Sequence, residues 1–131
     1  MDHLEKRGYR DFVRIDSGGQ ANVYSTNKDG RRLAVKVVKV DLKENEPAEL
    51  DEDLKRELYI IQGLRHPNTM QVEECFRTMN RVYIVMPFMP NGSIGNFVRE
   101  RGPLCEWNCK VWFPPIARAI RYLHRHMIAH R

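Results

Sequence analysis

The run Leu33-Ala34-Val35-Lys36-Val37-Val38 limits the possible folds more than any other stretch of this chain. It is β-branched and almost unbroken in its apolar character, the pattern of a strand covered on both faces. The turn before it, Asn27-Lys28-Asp29-Gly30, contains an Asp-Gly pair, a strong hairpin signal. The strand is therefore expected to pair antiparallel with Ala21-Asn22-Val23-Tyr24-Ser25. That segment follows Phe12-Val13-Arg14-Ile15 across Ser17-Gly18-Gly19. Three strands are therefore expected in antiparallel succession. With 131 residues, 42% of them apolar and 30% charged, the chain can supply one real core and does not read as disordered.

Composition then turns to helix formers. From roughly Pro47 to Leu64, the residues Leu50, Leu54, Ile61 and Leu64 recur at helical spacing, and Pro47 suits a first turn. The helix should stop before His66-Pro67-Asn68. Two more strands are expected, Val72 to Arg77 and Val82-Tyr83-Ile84-Val85-Met86, joined through Met79-Asn80. Pro87, Pro90, Asn91 and Gly92 read as a linker. Beyond them Ile116, Ile120, Leu123 and Met127 form a helical stripe. There is no internal repeat and no low-complexity tract.

Two charges stand where apolar residues belong. Lys36 alternates with Ala34, Val38 and Val40 onto one face of its strand, and Glu57 falls within the stripe 50, 54, 57, 61, 64 of the helix. A buried charge without a partner costs several kcal/mol even after relaxation, so the simplest solution packs strand against helix and pairs the two. In the bland alternative Lys36 snorkels to solvent and Glu57 sits on the margin of a broad arc that includes Leu58 and Ile60. Gly18-Gly19 carries a similar pair of readings. It is either an ordinary tight turn or a place where backbone N–H groups approach phosphate oxygens. No Gly-Lys-Ser/Thr follows, as a Walker loop would require, and a strand rather than a helix comes next, against the dinucleotide fingerprint.

In this order, the motifs resemble the amino-terminal half of the protein-kinase domain, from about Tyr9 to Arg131. Asp16-Ser17-Gly18-Gly19-Gln20-Ala21-Asn22-Val23 is similar to the glycine-rich loop, and Leu33-Ala34-Val35-Lys36 to the V-A-I-K strand. Glu57 falls where helix αC supplies the carboxylate for that lysine, and Leu64-Arg65-His66-Pro67-Asn68 follows it. Val82 to Met86 resembles the strand entering the hinge. Tyr122-Leu123-His124 through Ala129-His130-Arg131 resembles the end of helix αE and the opening of the H-R-D loop. The implied fold is α+β: a five-stranded antiparallel sheet with helix αC over residues 9–86, a hinge at 87–92, and the first helices of an incomplete helical lobe at 93–131. The resemblance implies ATP as ligand. Gly18 and Gly19 would cover the phosphates, Val23 and Ala34 would sandwich adenine, and Lys36, oriented by Glu57, would hold the α- and β-phosphates. Met86 would be the gatekeeper and Met89 the hinge contact to adenine. Gly30-Arg31-Arg32 and Arg101-Gly102-Pro103-Leu104 look more like serine/threonine kinases of the calmodulin-dependent and testis-specific type.

Several positions depart from the family. Asp16 and Ala21 replace two loop glycines, Gln20 stands at the usual aromatic position, and Pro87 replaces the common hinge glutamate. Asp16 would repel phosphate if it turned inward. Pro114-Pro115 is expected to interrupt αE, although a helix could still begin at Pro114, where the missing N–H is harmless. The chain stops at Arg131, before the position of the catalytic aspartate, and lacks the metal-binding residues beyond it. It is expected on its own to transfer no phosphate, as a fragment or truncated product whose use of Mg requires the missing lobe. The stripe Ile116, Ile120, Leu123 and Met127, with Trp112 nearby, is expected to be left uncovered. The alternative function is a noncatalytic, pseudokinase-like binding module or interfering fragment that docks a regulatory protein in place of a protein substrate.

Other classes find little support. The 22 Lys and Arg against 17 Asp and Glu leave a charge of +5 with no block of like charges, so nucleic-acid binding is not expected. Cys105 and Cys109 with His126 and His130 have the pair spacings of a zinc finger, but 16 residues separate the pairs where about 12 are usual. The most apolar stretch, Val82 to Pro90, is far shorter than the roughly 20 residues of a membrane span. An odd count of three cysteines and a charged N-terminus without a secretory leader point to the cytoplasm or nucleus.

Overall fold

The computed structural model describes residues 1–19, 21–40 and 52–130. The chain divides into two compact units, Met1–Leu64 with Gln71–Phe88, and Arg65–Met70 with Met89–Arg131.

The first unit is built on a five-stranded antiparallel sheet in the order β1-β2-β3-β5-β4. Its strands are β1 (Arg10–Ser17), β2 (Ala21–Lys28), β3 (Arg31–Lys39), β4 (Glu74–Arg77) and β5 (Arg81–Pro87). The Asp29-Gly30 hairpin forms as the sequence indicates: Lys28 pairs with Arg31, and both turn residues have positive φ, 50° and 73°, as a tight primed turn demands. Two strand ends differ from expectation. β4 begins at Glu74 instead of Val72, because Val72 leaves the ladder to pack into an apolar cluster, while Glu73 still donates its N–H to the Val85 carbonyl at 2.9 Å. Pro87, expected in the linker, closes β5 opposite Leu33. At the end of a strand its missing N–H forfeits little.

β3 is covered on both faces. Leu33, Val35 and Val37 join Tyr83 and Val85 of β5 in one cluster, and Ala34 and Val38 join Val82, Ile84 and Met86 in the other. The second face is closed by α2 (Glu52–Gly63), through its buried Leu58 and the flanking Leu54 and Ile61. The expected helix start near Pro47, and Leu50, lie outside the described residues. The first face is closed by an element that sequence patterning missed, the short helix α1 (Asp2–Glu5). Leu4 is fully buried, Tyr9 is 2% exposed, and Met1 packs beside them. The Tyr9 hydroxyl donates to Glu74 Oε2 at 2.6 Å, and Arg7 pairs with the other carboxylate oxygen.

In the second unit, α3 (Ile94–Arg101) is capped by Ser93, whose Oγ accepts from the Asn96 N–H at 3.1 Å, and ends at Gly102 with φ 84°. Its Phe97 meets Trp112 of α4 edge-on at 5.1 Å. α4 (Glu106–Arg125) is one continuous helix, so the expected interruption at Pro114-Pro115 is corrected. Proline's fixed φ suits a helix, and the carbonyls it leaves unpaired belong to Lys110 and Val111, both exposed, where water can serve them. The stripe also divides. Leu123 is 6% exposed with Ala119 beside it in burial, Ile116 is 44% exposed, and Met127 lies beyond the helix end at φ 59° and 92% exposed. No helix among the described residues is long and apolar enough to cross a membrane.

Burial, then the hydrogen bond to Glu74, pushes the Tyr9 phenol above its usual range. The folded state thus holds the proton more tightly. The stabilisation is complete below the unfolded value of about 10 and is lost as pH rises from there through the raised folded value. Tyr9→Phe should cost on the order of 1 kcal/mol at pH 8. In urea titrations the gap from the parent chain should narrow above pH ~10. A gap that stays constant to higher pH would contradict the assignment.

Candidate functional site

The sheet register gathers most of the residues singled out in the sequence. Val23 pairs with Lys36, which pairs with Ile84; Ser25 pairs with Ala34, which pairs with Met86. Directly opposed residues share a face, so Val23, Ala34, Lys36 and Met86 stand together on the side covered by α2. Val23 is half-buried, and Ala34 and Met86 are 6% and 9% exposed.

Lys36 Nζ donates to Glu57 Oε1 at 2.9 Å. The pair forms because Leu54, Leu58 and Ile61 seat α2 on the cluster that includes Ala34 and Val38, which brings the next residue around the helix within reach of the strand. Glu57 is therefore not inside the apolar stripe. Leu58 holds the buried position, and Glu57 lies on the margin with its side chain 48% exposed, against 33% for Lys36. Both sequence readings were partly correct: the charges do pair, and they do so at a solvent-reached edge. Such a pair suffers little desolvation and gains little stability. Its Nζ retains two further donors.

At the tip of the first hairpin the Gly18 N–H donates to the Ala21 carbonyl at 2.7 Å. Neither Gly18 nor Gly19 has a left-handed φ. A Cβ at Gly19 would meet nothing within 4 Å, and one at Gly18 would approach only the Ala21 carbonyl, at 3.6 Å. Local conformation and local space thus do not require glycine here. Gln20 lies outside the described residues. Asp16 pairs with Val23, which puts it on the Lys36 face, and its Oδ1 accepts from the Ser17 N–H at 2.8 Å. Met89 belongs to the second unit and is 55% exposed.

Patterning missed two residues at this face. Phe88, hidden in the linker stretch, packs on the cluster that holds Ala34 and Met86, with the Arg32 guanidinium 4.1 Å from its ring centre. Cys75 pairs with Ile84 and borders the same cluster, and burial pushes its thiol up. Its alternation with Phe76 was the available signal. Among the described residues no group of three or more His, Cys, Asp or Glu is placed to hold a metal ion.

The chain is similar to known proteins over most of its length. A family model described as the protein kinase domain matches residues 9–131. Testis-specific serine/threonine-protein kinase 1 of Mus musculus is 31% identical over 129 residues, covering 98% of this chain and 35% of the relative. Serine/threonine protein kinase OSK3 of Oryza sativa subsp. japonica is 28% identical over 117 residues, 89% of this chain and 23% of the relative. NUAK family SNF1-like kinase 2 of Homo sapiens is 28% identical over 102 residues, 78% of this chain and 16% of the relative. The chain thus spans between 16% and 35% of the length of these relatives.

A half-exposed ion pair and a buried aliphatic residue should behave differently in denaturant. Glu57→Gln should cost about 0–1 kcal/mol. Ile84→Ala, at a site 2% exposed, should cost about 2–5 kcal/mol. Equal losses would contradict the marginal placement of Glu57.

Proposed function

Because the chain belongs to the protein kinase family, we propose that it is the ATP-binding portion of a serine/threonine protein kinase. Residues 9–86 are its amino-terminal lobe, 87–92 its hinge and 93–131 the start of its helical lobe. The observation that carries this reading is the 2.9 Å contact between Lys36 and Glu57 beside a face of low polarity.

The residues present fit the ligand. Val23, Ala34 and Met86 offer an apolar surface suited to a flat base, and Lys36 offers a cation next to it. A lysine side chain is long and rotatable; Glu57 confines the ammonium to one position while leaving donors free for phosphate oxygens. Gly18 and Gly19 present backbone without a side chain, which allows close approach. Met89 is proposed as the hinge residue that contacts the base. Bound ATP supplies the transferable phosphoryl group. In the whole protein the acceptor is proposed to be a serine or threonine hydroxyl of a protein substrate, with Mg used there. None of the residues described here is assigned the role of catalytic base. Three free cysteines accord with a cytoplasmic or nuclear setting.

A second reading rests on Asp16. Its carboxylate shares the Lys36 face two strands away, about 10 Å by strand spacing. That is close to the Debye length of ~8–10 Å at physiological salt, so it opposes phosphate weakly in solution and more strongly if a ligand covers it. This favours a noncatalytic binding module if the opposition dominates.

Thermal unfolding with and without Mg-ATP separates the two. Saturating nucleotide should raise Tm, by the equivalent of about 2.7 kcal/mol at 100 times Kd. Lys36→Met should abolish the rise. Asp16→Gly should enlarge it, most at low salt. A parent chain that shows no rise, with Asp16→Gly equally silent, would reject the nucleotide reading.

A further inference from the structure

The two strands that carry Lys36 and Met86 share a support on the opposite side of the sheet, and most of that support precedes the region matched by the family model. Residues 1–8 precede the match at 9–131, yet Leu4 is fully buried against a cluster made of Leu33, Val35 and Val37 of β3 and Tyr83 and Val85 of β5. Strand residues alternate faces, so Val35 and Val37 flank Lys36, and Val85 precedes Met86. Displacing either strand toward its back face moves the side chains on its front.

The segment is tethered as well as buried. The Tyr9 N–H donates to the Leu4 carbonyl at 3.1 Å, which folds the chain back on α1. Glu74 of β4 accepts from the Tyr9 hydroxyl at 2.6 Å and from Arg7, with Lys28 Nζ 3.9 Å from the same carboxylate. The Arg7 guanidinium lies 4.1 Å over the Phe76 ring, which stacks on Tyr83 at 4.7 Å. Lys28 Nζ sits 4.4 Å over the Tyr9 ring. Polar tethers from β2 and β4 thus converge on a segment whose buried side chains, Leu4 and Tyr9, join the cluster on β3 and β5.

We propose that residues 1–9 form a strap that positions β3 and β5 from behind, with Leu4 and Tyr9 as positioning residues for the Lys36 and Met86 side of the sheet. Its effect on nucleotide rests on the nucleotide reading above; its effect on the strands does not. One carboxylate gathers the strap's ionic and hydroxyl tethers, so loosening Glu74 should loosen β3 and β5 without touching either strand.

Amide hydrogen exchange on the full chain tests this, together with titration of a fluorescent ATP analogue at a temperature where circular dichroism shows every variant folded. Leu4→Ala should speed exchange of amides 33–37 and 82–86 tenfold or more, and Leu4→Met, which keeps the volume, should restore the parent rates. Glu74→Gln, a milder change that avoids a cavity, should speed the same amides about threefold. Leu4→Ala should also weaken the nucleotide analogue threefold to tenfold. Unchanged exchange in both strands overturns the strap, as does faster exchange with unaltered nucleotide affinity, since a merely stabilising segment would lower Tm and leave binding alone. A parent chain that binds no nucleotide would reject the earlier reading, and the exchange pattern would still decide this one.

Discussion

Lys36 and Glu57 meet at the edge of a packed helix and sheet, and the organisation of the first unit converges on that contact. Neither residue reaches the other unless α2 lies on the sheet, and α2 lies there because Leu54, Leu58 and Ile61 present one apolar side to Ala34, Val38 and Ile84. Hydrophobic burial sets the geometry and the ion pair exploits it. At 33% and 48% side-chain exposure the pair lies in the range where charge contacts barely affect folding. Its physical consequence is restraint: a flexible cation is held beside an apolar face, where an anionic ligand with a flat, low-polarity base would find both features together.

The same strand explains why the unit needs two covering layers. β3 is apolar on both sides, so α2 alone would leave Leu33, Val35 and Val37 in water. The N-terminal segment covers them through Leu4 and Tyr9, and Glu74 holds it down. Site and support are thus opposite faces of one strand.

Much of this was legible in the sequence, for identifiable reasons. Alternation and an Asp-Gly turn are local signals, and β2, β3 and the hairpin between them form as they indicate. The pairing of Lys36 with Glu57 was legible because a charge on an apolar strand demands a partner. The depth of burial was not: whether position 57 or 58 faces the sheet depends on a rotation of about 100°, which tertiary packing sets and an apolar arc this broad leaves open. α1 escaped notice because a strap of nine residues with four charged side chains has no periodicity; it is recognised only by what Leu4 and Tyr9 bury. Pro114-Pro115 misled for the opposite reason. A strong local rule met a helix with exposed carbonyls at the affected positions, and the helix continued.

In the proposed nucleotide site, Glu57 acts on the ligand only through Lys36. The most direct measurement is a double-mutant cycle of nucleotide dissociation constants across the parent chain, Lys36→Met, Glu57→Gln and the double variant. The expected result is that each single change weakens binding and the double variant binds as Lys36→Met does, because Glu57 has nothing left to orient. Losses that simply add would contradict it, and would mean that the two side chains serve separate ends.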